Sequence, residues 1–274
     1  MFCADFTQYV GFDFLIGGSP CTHWSITKKI GREVEAKGAG WDLFSQFVRA
    51  LKEAKPKYFI YENNKSMSAD IRESISREFG FTPYYINSDT TSAQYRQRLY
   101  WVGRRNQDGT YSKVEVRQFE RCSIELADIL SQQDHAEYPI NTVGGKSYAI
   151  KKNYYKSSLA NFVNGGGHYP QTGVAVFVGN NISNSTVELG GKKHRVYHVH
   201  GGSIEVDGQL LPVSLNDGCY IIRKLTVAEC KALQNVPDWY EFPVSDTQAI
   251  MMLGNGWTVG VISNLIKATQ FGNT

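Results

Sequence analysis

An α/β fold carrying a small β-rich insertion is what this sequence predicts, on three observations. Short apolar runs alternate with helical periodicity over the first hundred residues. From Ser131 that periodicity gives way to β-prone pieces separated by turn signals, and it returns at Thr226. The expected division is a discontinuous domain over 1–130 and 223–274, with a second domain inserted at 131–222.

Phe12 to Ile16 reads as a buried strand that ends in the turn Gly17-Gly18-Ser19-Pro20-Cys21. Leu43, Phe44, Phe47, Val48 and Leu51 recur at helical spacing, and Lys55-Pro56 closes that helix. Tyr58 to Tyr61 is the next strand and delivers Glu62-Asn63-Asn64 at its end. Ser68 then caps a helix with Ile71, Ile75 and Phe79 inward and Gly80 as its stop. Leu99 to Gly103 is a further strand, and the alternation predicts a mostly parallel sheet. In the insertion, Val174 to Val178, Val196 to Val199 and Tyr220 to Ile222 read as strands, with Asn164-Gly165-Gly166-Gly167 and Asp207-Gly208 as turns. Thr226-Val227-Ala228-Glu229 is a capping box, where helical texture returns, and a last strong element runs from Trp257 to Gln270.

With 42% apolar and 20% charged residues among 274, the chain is neither disordered nor fibrous. A net charge of +3 is compatible with a nucleic-acid partner without arguing for one. Five scattered cysteines without a CxxC pair point to a reducing compartment rather than a disulfide framework, and the histidines show no zinc spacing, so no metal is expected. Without a basic, apolar N-terminal segment or an 18-residue apolar run, the expectation is a soluble intracellular protein, away from the membrane.

Three places carry chemistry. Cys21 sits at a strand terminus, where α/β proteins build sites, behind two glycines that let a ligand approach the backbone. It reads as a nucleophile or as a buried structural thiol. Glu62, at the neighbouring strand end, is a candidate acid or a solvated carboxylate. In Gln94-Tyr95-Arg96-Gln97-Arg98 the period of two puts Gln94, Arg96 and Arg98 on one face, as an anion clamp or as a polar edge. Lys151-Lys152-Asn153-Tyr154-Tyr155-Lys156 and Lys192-Lys193-His194-Arg195 interleave basic and aromatic groups, as phosphate contact and base stacking require.

Taken in order, these segments resemble the motifs of the DNA cytosine-5 methyltransferase family, of phage and bacterial type. The resemblance rests on Gly17 to Ser25 with its Pro20-Cys21 pair, Glu62-Asn63-Asn64, Gln94-x-Arg96-x-Arg98, Arg223 through Glu229 to Asp238, and Gly254-Asn255 followed by Val259. It implies a Rossmann-like, S-adenosylmethionine-dependent fold with 131–222 as target recognition domain. It also implies methyl transfer to carbon 5 of a flipped-out cytosine in double-stranded DNA, in a bacterial or phage-infected cytoplasm, within a restriction-modification setting. Cys21 would add to ring carbon 6. Glu62 would hydrogen-bond ring nitrogen 3 and the exocyclic amine, and Arg96 or Arg98 would hold the base carbonyl or a flanking phosphate. Asp5, Gly18, Pro20, Gly254 and Asn255 would bind S-adenosylmethionine.

The sequence departs from the family at several points, of which Asn64 for the usual Val and Ser19 for the commoner Pro are the milder, and the missing cofactor segments with the acidic ribose-binding residue the larger. The Phe-x-Gly-x-Gly loop that cradles the cofactor does not occur, so the resemblance implies a sheet lacking its first strands. The chain would then be a truncated frame, one subunit of a split enzyme completed by a second chain carrying those motifs, or a DNA-binding remnant. Methylation of cytosine in RNA is a further reading of the same chemistry.

Overall fold

The computed structural model describes residues 4–20, 22–26, 30–117, 119–130, 135–163, 170–206 and 208–270. Packing divides the chain into two units, one of Met1–Asn87, Gln97–Phe119 and Ile262–Thr274, the other of Ser88–Arg96 and Glu120–Val261.

The elements of the first stretch are β1 (Phe14–Gly17), α1 (Ala39–Ala54), β2 (Tyr58–Asn64), α2 (Ala69–Phe79), β3 (Tyr84–Asn87), β4 (Gln94–Tyr95), β5 (Gln97–Arg105) and β6 (Tyr111–Lys113). In the first unit the sheet order is β1-β2-β5-β3, with β6 pairing β5. The expected mostly parallel sheet is corrected in its pairing. β1 and β2 pair in parallel and β3 runs in the same direction, but β5 lies reversed between β2 and β3 and pairs antiparallel with both and with β6. β3 follows α2 directly and β5 returns beside it without a crossover helix, which antiparallel pairing permits and parallel pairing does not. Both helices form as the apolar spacing predicts. Lys55 ends α1 in the left-handed region, and Ser68 caps α2 by accepting from Ile71 N before Gly80 stops it. Their inward faces join the sheet in an aromatic core of Phe44, Phe47, Phe59, Tyr61, Phe79 and Trp101. β1 is an edge strand of this sheet.

The second unit adds β7 (Glu137–Ile140), β8 (Thr142–Val143), β9 (Lys146–Tyr148), α3 (Leu159–Val163), β10 (Gly173–Gly179), β11 (Thr186–Leu189), β12 (Lys192–Arg195), β13 (Tyr197–His200), β14 (Ser203–Val206), β15 (Gln209–Pro212), β16 (Gly218–Arg223), α4 (Val227–Leu233), α5 (Asp246–Asn255) and the start of α6 (Val259–Ala268). Six strands form an antiparallel sheet in the order β15-β14-β13-β16-β10-β7. β4 belongs to this unit and pairs with β9, and β11 and β12 form a separate hairpin turning at Gly190-Gly191. Thr226 and Glu229 form the expected capping box of α4. The turn expected at residues 164–167 lies outside the described residues.

Residues 246–268 are long and apolar enough to cross a membrane by length and composition alone, although they hold no run of 18 apolar residues. They form two helices, α5 and α6, broken at Gly256-Trp257-Thr258. Buried Arg96 donates there to the carbonyls of Gly254 (3.3 Å) and Gly256 (2.8 Å).

Candidate functional site

In the first unit, the turn after β1 is docked on the end of β2. Ser19 Oγ and the Tyr61 hydroxyl share a 2.5 Å hydrogen bond, and Asn63 Nδ2 donates to the Ser19 carbonyl at 3.1 Å. Burial pushes the Tyr61 hydroxyl up to about 12, so it remains protonated and can donate. Both glycines have packing reasons of their own. A Cβ on Gly17 would meet the Phe47 ring at 3.0 Å, and one on Gly18 would meet the Glu62 carbonyl oxygen at 2.6 Å. Gly18 is thus what lets the turn lie flush against Glu62.

The Glu62 side chain is 12% exposed, and its Oε1 lies 3.0 Å from Arg98 Nε. Arg98 also donates to the Gln97 carbonyl at 2.8 Å. Cys21 lies outside the described residues, but the chain on both sides of it is held. Ser19 is fixed as above, and Trp24 is fully buried in the aromatic core. Asp5 is exposed. Its Oδ1 accepts from the Thr7 hydroxyl (2.6 Å) and the Thr7 amide (2.9 Å), which hold its carboxyl below the usual range and keep it ionised.

The expected common face of Arg96 and Arg98 does not form. The strand breaks between Tyr95 and Gln97, and Arg96 belongs to the second unit. There it is 5% exposed and donates to the carbonyls of Ile150 (3.0 Å), Gly254 and Gly256. The carbonyls ending α5 have no intrahelical donors, and a guanidinium with five N–H groups satisfies them. Gln94 is likewise enclosed, donating to the Leu233 carbonyl at 2.9 Å and accepting from Ile150 N at 3.0 Å. Gly254 is buried, and a Cβ there would meet the Lys151 carbonyl carbon at 2.5 Å, so its glycine serves close packing on Lys151-Lys152. Asn255 is exposed.

The basic patches separate in the same way. Tyr154 is 2% exposed, donating to the Thr172 carbonyl at 2.7 Å and accepting from Leu225 N at 2.9 Å, so it is structural rather than a stacking platform. Burial lowers the Lys151 ammonium to about 8. Lys192, Lys193 and Arg195, on β12, are exposed.

A family model for C-5 cytosine-specific DNA methylases matches residues 4–270. The chain belongs to this family. Among curated methylases, it is 26% identical over 93% of its length to the type II methyltransferase M.SsoII of Shigella sonnei, and 27% identical over 84% to M1.HphI of Haemophilus parahaemolyticus. It spans 63% and 60% of the lengths of those two relatives. Among solved structures, the Entamoeba histolytica methyltransferase EhMeth aligns with a TM-score of 0.53 at 13% identity, covering 93% of this chain and 76% of that one. The similarity in structure bears on the methyltransferase fold alone.

For this methylase chain, Glu62, Arg98 and the turn bearing Pro20 come together in one unit, while Arg96, Gly254 and Asn255 belong to the other. Sequence reasoning missed the Ser19–Tyr61–Asn63 cluster. The signal available was a tyrosine and an asparagine closing an apolar strand, beside a serine in the preceding turn.

Proposed function

We propose that this chain methylates carbon 5 of cytosine in double-stranded DNA with Cys21 as nucleophile. The observation that carries the reading is the docking of the 17–20 turn on the carboxylate end of β2, Gly18 against Glu62, with Arg98 holding that carboxylate at 3.0 Å. In this reading the Cys21 thiolate bonds to ring carbon 6 of a flipped-out cytosine, while Glu62 hydrogen-bonds ring nitrogen 3 and neutralises the electron density pushed into the ring. Arg98 keeps Glu62 oriented. After methylation a base takes the proton from carbon 5, and the bond from sulfur to carbon 6 breaks.

S-adenosylmethionine, when bound, supplies the electrophilic methyl group. Asp5, ionised and exposed, suits the hydroxyl or amine donors of an adenosyl group, and Gly18, Pro20 and Asn255 offer exposed backbone or amide. Gly254 does not fit this role, since its surface is taken by Lys151-Lys152. The β11–β12 hairpin, presenting Lys192, Lys193 and Arg195, is the recognition segment suited to DNA phosphates. In this reading the chain acts in the cytoplasm.

A second reading, a DNA-binding homologue completed by a second chain that carries the cofactor glycine loop, is favoured by one observation. Among the described residues β1 is an edge strand whose backbone a further strand could pair, and Ile16 within it (37%) and Phe12 before it (63%) are exposed.

The test incubates the chain with radiolabelled S-adenosylmethionine and mixed-sequence duplex DNA in which 5-fluorocytosine replaces cytosine, because fluorine cannot leave and the adduct is trapped. A labelled covalent complex that disappears in Cys21→Ala is the expected result. Retained DNA binding without adduct overturns the first reading in favour of the second.

A further inference from the structure

Beyond the family's motif residues, the geometry points to Glu33 as a positioning residue that, with Arg32, clamps the segment following Cys21 onto the start of α1. The inference rests on the proposed function for its catalytic consequence and on geometry for the clamp itself.

Four bonds make the clamp. Glu33 N donates to the His23 carbonyl at 3.0 Å, Arg32 Nε donates to the Trp24 carbonyl at 3.1 Å, Trp24 Nε1 donates to Glu33 Oε2 at 3.2 Å, and His23 Nδ1 lies 3.1 Å from Glu33 Oε1. Arg32 also reaches the Ser66 carbonyl at 2.5 Å, fastening the segment to the loop after β2. Glu33 has a further task at α1. Gly38, the N-cap, has no side chain to offer the orphan amides of the first turn, and Glu33 accepts from Gly40 N at 3.0 Å instead. The carboxylate therefore meets the positive end of the helix as well as two ring donors.

Gly40 belongs to the same device. A Cβ there would lie 2.5 Å from both Glu33 Oε2 and Trp24 Nε1, so glycine is required for carboxylate and indole to reach the helix together. The Glu33 side chain is 19% exposed, and Trp24 is wholly enclosed.

The consequence for reaction follows from where the anchors lie. Ser19 is fixed two residues before position 21 by Tyr61 and Asn63, and Trp24 is fixed three residues after it by Arg32 and Glu33. In the proposed reaction a nucleophile must meet a ring carbon at about 3–3.5 Å, and anchors at Ser19 and Trp24 fix the described residues on either side of it.

The test compares wild type with Glu33→Gln, nearly isosteric but facing N–H donors with an amide, and with Trp24→Phe, which keeps the packing and removes one donor. Two readouts are used, amide hydrogen exchange over residues 22–26 and the single-turnover rate of adduct formation on 5-fluorocytosine duplex. The expected result is faster exchange in both variants and an adduct rate lowered about tenfold or more in Glu33→Gln, at an unchanged KM for DNA. Unchanged exchange overturns the clamp. Faster exchange with an unchanged adduct rate overturns its role in positioning the nucleophile. Absence of adduct in wild type overturns the functional reading instead, and exchange still decides the clamp.

Discussion

Arg98 Nε stands 3.0 Å from Glu62 Oε1 across the antiparallel pair of β2 and β5. Asn64 is opposite Arg98 and Tyr100 is opposite Glu62, so the two charged side chains share a face on the diagonal, within reach of long side chains. With exposures of 21% and 12%, neither charge is fully solvated.

Replacing Arg98 by Met leaves the Glu62 carboxylate without that cation in a site where water reaches it poorly. A loss of about 1–3 kcal/mol of stability is expected, read from urea midpoints. Adduct formation on 5-fluorocytosine DNA should fall further than stability accounts for, because an unheld carboxylate turns away from the base. Arg98→Lys keeps the charge but not the guanidinium geometry and should recover stability more than rate.

Gly18→Ala asks whether the turn can move. The new methyl would meet the Glu62 carbonyl oxygen at 2.6 Å, and a strand backbone atom cannot give way. Overpacking of this kind costs about 1–3 kcal/mol, and the turn of residues 17–20 would be lifted from Glu62. Gly17→Ala is the comparison, since it meets the edge of the Phe47 ring at 3.0 Å and a ring can shift. Gly18→Ala should therefore lower both melting temperature and adduct yield more than Gly17→Ala does. Equal effects would show that the turn is not docked on Glu62.

What the sequence disclosed and what it hid divide along physical lines. α2 was legible to the residue because its signals are local, with Ser68 and Gly80 terminating an apolar stripe of period 3.6. The direction of β5 was not, since Leu99 to Gly103 reads alike as a parallel or an antiparallel strand and only its neighbours decide. The strand-period argument for Arg96 and Arg98 failed because it assumed one unbroken strand. The carbonyls of Ile150, Gly254 and Gly256, remote in sequence, claimed Arg96 instead. Glu62 could be named from its position at a strand end, whereas the clamp of Arg32 and Glu33 leaves no pattern beyond the pair Gly38 and Gly40.

Arg223 joins three elements of the second unit. Its Nε and one Nη bond Glu137 on β7 at 3.0 and 2.6 Å, and its two Nη atoms bond Glu229 on α4 at 2.9 and 2.7 Å. Burial opposes its charge, but the bonds to Glu229 and Glu137 more than offset that and hold its pKa above the ordinary value. Arg223→Met leaves the buried Glu229 and the partly buried Glu137 carboxylates without their shared cation and should cost about 3–5 kcal/mol. Adding Glu137→Leu removes one of them and should restore part of the loss. A double variant no more stable than the single would show that Glu137 is not held by this pair.

Lys151 provides a pH-dependent prediction whose sign follows from its surroundings. Burial lowers its pKa from 10.5 to about 8, so the folded chain releases a proton that the unfolded chain keeps. Between those values the unfolded state binds more protons, and stability from this site rises with pH from about 8 toward 10.5. Lys151→Met has no proton to release. It should be more stable than wild type at pH 6.5, where the ammonium is charged inside the fold, and the advantage should shrink at pH 10. Urea midpoints at the two pH values measure the difference. An advantage independent of pH would mean that Lys151 keeps its proton when folded, in which case it, and not only the β12 hairpin, would be available to DNA phosphates.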